Sequence, residues 1–64
     1  MNLVQFTSPF GDVITINPGM IFAIHSQESG VVIELSTGRS IPVNESFTDV
    51  VARLRPALIF ETKG

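Results

Sequence analysis

The side chains able to do chemistry in this chain are few and scattered. It holds one histidine, six carboxylates and four basic residues, and no cysteine. His25 falls within an apolar stretch, with Ile24 and Ser26 on the opposite face of a strand. A catalytic histidine needs a nucleophile and an orienting group within hydrogen-bond reach. Ser26, Glu28 and Ser29 are near His25 only along the chain, and strand neighbours diverge. Without cysteine or a second histidine, His25 also makes a poor metal ligand. It reads as structural or solvated.

The carboxylates divide in the same way. Asp12, Glu28 and Glu61 fall at turns or in the tail. Glu45 and Asp49 stand at the start of a helix, where the macrodipole favours negative charge without any acid–base role. Glu34 is a charge inside an apolar strand, expected to face solvent or to pair with Arg39 across the turn at Thr37-Gly38. Gly11, Gly19, Gly30 and Gly38 each close a turn rather than gather into a phosphate cradle. Asn44-Glu45-Ser46 has the glycosylation pattern and reads as a helix cap. Phe10 and Phe22 could stack bases, but no basic residues interleave with them. No catalytic, cofactor-binding or metal site is expected, and no enzyme activity.

Composition bounds the rest. A chain of 64 residues makes one domain, taken as residues 1–64. Below about 70–80 residues one core rarely supplies more than ~3–5 kcal/mol, so a staple is usual. Disulfides and thiolate zinc are excluded, which leaves oligomerisation or dense packing. Hydrophobic residues make up 44% and charged residues 16%, an apolar balance for so little interior. The formal net charge is −2. Arg39, Arg53, Arg55 and Lys63 form no run, which argues against nucleic acid as the main partner. No apolar stretch reaches a membrane span. The first residues, Met1-Asn2-Leu3-Val4-Gln5, lack the pattern of a signal peptide, so the cytoplasm is the expected compartment.

The elements that must position these residues follow from periodicity. Leu3–Thr7 and Val13–Ile16 read as a hairpin around the turn Ser8–Asp12. After Asn17-Pro18-Gly19, strands are expected over Ile21–Ser26, Val31–Leu35 and Ser40–Val43. Pro42 cannot donate, so it belongs at an edge or bulge. Phe47, Val50, Val51 and Leu54 then stand at i, i+3, i+4 and i+7, one face of a helix, leaving Thr48 on the wet face. Ser46 with Asp49 is a weak capping box, with Asn44 a rival cap. Pro56 ends the helix, and Ala57–Phe60 could form a last short strand. The expected fold is mainly β or α+β: a small curled antiparallel sheet of about five strands with one C-terminal amphipathic helix.

Apolar residues occupy both strand faces. Val4, Phe6, Ile14, Ile16, Ile24, Ile33, Leu35, Ile41 and Val43 can fill one core beneath the helix. Leu3, Val13, Phe22 and Val32 have the opposite parity, where a one-sided sheet should be polar. Either the strands curl into a barrel-like sheet with bulges, or a second subunit covers that face. The excess of apolar residues in so short a chain favours the second. With Leu58 and Phe60, these four make a candidate interface.

The runs "FGDVITINPGMIFAI" and "VVIELSTGRSIPVNESFTDVVARL" resemble the small flagellar FlbD-like bacterial proteins. Gly11, Ile16-Asn17-Pro18, Ile21, Ile24, Gly38, Val43, Glu45-Ser46 and Val50 stand at that family's positions, over roughly residues 3 to 54. The chain departs in "RPALIFETKG", where the family has a basic tail. The resemblance implies an association with motility operons and no catalytic residues. The strand–strand–strand–helix order is also similar to the first half of LytTR-type DNA-binding domains, without their basic second half. The expected function is a non-enzymatic protein–protein interaction module: a homo-oligomeric adaptor, accessory or regulatory factor, needing no cofactor, metal or membrane. The alternative is a small nucleic-acid-binding regulator using Arg39, Arg53 and Arg55. On a helix Arg53 and Arg55 point about 200° apart, so they cannot make one tight face alone.

Overall fold

Short β-branched runs separated by glycine and proline leave the backbone little choice but a series of tight antiparallel turns. The computed structural model describes residues 3–56 and shows that pattern. Strands β1 (Val4–Thr7) and β2 (Val13–Ile16) form an antiparallel hairpin, with Val4 opposite Ile16 and Phe6 opposite Ile14. Pro18–Met20 makes a single 3-10 turn, with the Asn17 side chain accepting from the Gly19 N–H (3.0 Å). Strands β3 (Ile21–Gln27), β4 (Gly30–Leu35) and β5 (Ser40–Val43) form a second antiparallel sheet in the order β3-β4-β5. Helix α1 spans Phe47–Leu54. Ser46, not Asn44, is its cap: the hydroxyl accepts from the Asp49 N–H (3.2 Å).

The α+β architecture, the five antiparallel strands and the C-terminal helix are as the sequence leads one to expect. The curl is not. The strands divide into a two-stranded and a three-stranded sheet rather than one strongly curled sheet. The Asn44 N–H donates to the Thr7 carbonyl (2.6 Å), beyond the end of β5, so the ladder does not run on from β1 into β5. Pro42 lies on β5, an edge of its sheet, where its missing donor costs nothing. The strand considered at Ala57–Phe60 lies outside the described residues.

Phe6, Ile16, Val31, Ile33, Val43, Val50 and Leu54 form the buried core, and Val4, Ile14, Ile21, Ile24, Leu35 and Ile41 pack partly buried against it. The core face is the one that alternation indicates on β1, β2, β4 and β5, whereas on β3 a register shift brings Ile21 and Ile24, of opposite parity, to the core.

The helix is rotated from its expected setting. Val50 and Leu54 are buried, but Val51 is only half-buried and Phe47 is 44% exposed. Of the four apolar positions, the i, i+4 pair Val50–Leu54 docks, and the pair Phe47–Val51 turns outward. The cause is polar: Arg53, three residues after Val50 and so on the docked side, is tied to β1.

Candidate interaction surface

The β1–β2 loop is ordered by one side chain. Buried Ser8 accepts at Oγ from the N–H groups of Phe10 and Asp12, both at 3.1 Å. Its own N–H donates to the Asp12 carbonyl (2.8 Å), and the Gly11 N–H donates to the Ser8 carbonyl (3.0 Å). Gly11 has φ +96°, a conformation that side-chain-bearing residues rarely adopt. The loop thus holds Phe10 at its tip, 86% exposed. Nothing in the hydropathy pattern singled Phe10 out. The Ser–Pro–x–Gly–Asp turn, of which Phe10 is the central residue, was the available signal.

Phe22 owes its position to a bulge. Ile21 is opposite Leu35 and Ala23 opposite Glu34, so Phe22 is the extra residue on β3 and stands 72% exposed. Val32 lies on the outer face of the same sheet, opposite His25 and Pro42, and is half-buried. Leu3 and Val13 belong to the hairpin instead, at 58% and 68% exposure. The structure thus groups the candidate residues by sheet: Phe22 with Val32, and Leu3 with Val13. Leu58 and Phe60 lie outside the described residues.

The outer face of the three-stranded sheet also carries the one histidine. His25 Nε2 lies 3.0 Å from Glu34 Oε1, with both side chains partly exposed. Glu34 thus keeps the partly exposed outer position expected of it, with His25 as its partner in place of Arg39. Register explains it. Glu34 is opposite Ala23 and Ser40, one step diagonally from His25, whereas Arg39 falls one residue before Ser40 in the turn. Among the described residues no group of three histidines, cysteines or carboxylates could hold a metal ion. No helix among them is long and apolar enough to cross a membrane.

A polar clasp locks the helix start to the hairpin. The Thr7 N–H donates to both carboxylate oxygens of Glu45 (3.0 and 3.1 Å). Arg53 Nη1 donates to the Gln5 carbonyl (2.9 Å) and to Glu45 Oε2 (3.2 Å), and its guanidinium sits 5.8 Å from the centre of the Phe6 ring. Glu45, read from sequence only as a macrodipole partner, is therefore the hub of the β1–α1 contact, and its side chain retains just 10% exposure. Burial pushes its carboxyl pKa up. The hydrogen bonds from the Thr7 and Glu45 backbone, with the Arg53 charge, outweigh this and hold it below the ordinary 4.5.

A lowered folded-state pKa means the clasp adds stability above the unfolded value, and that stability is lost as pH falls through the folded value. The thermal midpoint should therefore drop as pH falls below the ordinary 4.5, and Glu45→Gln should remove part of that slope. If Glu45→Gln leaves the profile unchanged, the carboxylate is not held as described.

The three arginines considered for nucleic-acid contact occupy different settings. Arg53 is spent on the clasp. Arg39 is exposed in the β4–β5 turn, where its carbonyl accepts from the Leu35 N–H (2.8 Å). Arg55 lines an open groove of about 500 Å³ with Phe47, Thr48, Val51, Ala52 and Pro56. The outward turn of Phe47 and Val51 creates this groove. The chain matches no protein-family model, no curated protein and no solved structure, so its fold and surfaces stand on their own geometry.

Proposed function

We propose that this chain is a non-enzymatic protein–protein interaction module that self-associates and serves as an adaptor or accessory factor. The observation that carries this is the mismatch between core and surface. Among the described residues the buried apolar core has seven members, while Leu3, Phe10, Val13 and Phe22 each keep more than half of their surface in water. Single exposed apolar residues are ordinary, but this many in so small a chain mark a surface meant to be covered. The alternative of a nucleic-acid regulator has no such support, because Arg53 already binds Gln5 and Glu45.

The test is a dilution series followed by thermal unfolding. If folding is coupled to dimerisation, a hundredfold rise in concentration adds about 2.7 kcal/mol per dimer, about 1.4 kcal/mol per chain, and lifts the midpoint by roughly 5–10 °C. A midpoint identical at all concentrations contradicts the proposal.

A further inference from the structure

We infer that two copies of this chain join by inserting the Phe10 loop of one into the α1 groove of the other. The inference rests on the self-association reading and names the contact. Both halves of a complementary pair are present on one chain. The loop is an ordered knob: Ser8 fixes its backbone through two side-chain and two main-chain hydrogen bonds, so little order remains to be gained on docking. Its tip carries the most exposed aromatic ring among the described residues, with the carboxylate of Asp12 two residues on.

The groove is the matching hole. Phe47, Val51, Ala52 and Pro56 supply apolar walls, Arg55 supplies a positive charge, and about 500 Å³ is ample for a phenyl ring. Among the described residues neither Asp12 nor Arg55 has an ion-pair partner within its own chain. Phe10 against the apolar walls and Asp12 against Arg55 satisfy both at once. A two-fold arrangement makes the contact twice, since each copy offers one loop and one groove. Buried aromatic anchors of this kind dominate interface energetics.

Sedimentation equilibrium on the full chain and four variants tests this. Phe10→Ala, Asp12→Arg and Arg55→Asp alter exposed side chains, so circular dichroism should stay that of the parent. Each should weaken self-association on the order of tenfold or more. The charge-swapped double variant, Asp12→Arg with Arg55→Asp, should recover most of the affinity lost by either single charge change. If Phe10→Ala associates as tightly as the parent, the copies meet elsewhere: this contact is wrong and the self-association reading survives. If the swap restores nothing, the pairing of Asp12 with Arg55 is wrong. If the parent is a monomer throughout, the underlying reading fails together with this contact.

Discussion

Val50→Asp is expected to abolish the fold. Val50 is fully buried at the centre of a core of seven residues, where α1 docks. The described core members around it are all apolar, and removing an unpaired charge from water costs several kcal/mol even when it responds by taking up a proton. The whole chain has only about 3–5 kcal/mol to lose. Far-ultraviolet circular dichroism of Val50→Asp should therefore resemble the denatured parent.

Two neighbours on the same helix sharpen the test. Thr48 is exposed, so Thr48→Asp should keep the parent's circular dichroism. Val51 would be a core position if all four apolar helix residues faced inward, and Val51→Asp would then unfold the chain as well. With Val51 half-buried along an open groove, Val51→Asp should remain folded. A folded Val50→Asp beside an unfolded Val51→Asp would mean that α1 is docked by its other side.

The second large effect is expected from Glu45→Ala. This carboxylate accepts the Thr7 N–H at both oxygens and an Arg53 N–H, with little solvent available to replace it. Its removal strands the Thr7 donor and frees the Arg53 guanidinium. Charge-assisted hydrogen bonds contribute about 1.5–3 kcal/mol, so a loss near 2 kcal/mol is expected, with the midpoint falling by roughly 10 °C. Arg53→Ala should cost less, because that side chain is half exposed. Glu28→Ala, at an exposed carboxylate in the β3–β4 turn, serves as the control. Equal, small losses for Glu45→Ala and Glu28→Ala would show that the clasp adds nothing to stability.

The elements and their faces were legible because they are local. β-branched alternation, Gly11, Gly30 and Gly38 at positive φ, and Ser46 before an apolar 3.6-residue period act over a few residues each. The rotation of α1 was not. Phe47, Val50, Val51 and Leu54 form a stripe wide enough to dock by either half, and the choice rests on Arg53 reaching Gln5, 48 residues away in sequence. The His25–Glu34 pair was hidden for a related reason. Its diagonal geometry needs the exact register of the β3–β4 hairpin, which sets His25 opposite Val32 and Glu34 opposite Ala23, and hydropathy alternation gives faces rather than register. Leu3, Val13 and Val32 were visible by parity, but Phe22 has the parity of Ile24 and is turned outward by the bulge, and the grouping into Phe22–Val32 and Leu3–Val13 required the division into two sheets.

Sedimentation equilibrium of the unmodified chain reads self-association with no substitution in the way. The weight-average mass should rise with concentration above that of one 6.9 kDa chain and fall back on dilution. A mass of one chain at every concentration, from a protein with native circular dichroism, would contradict it.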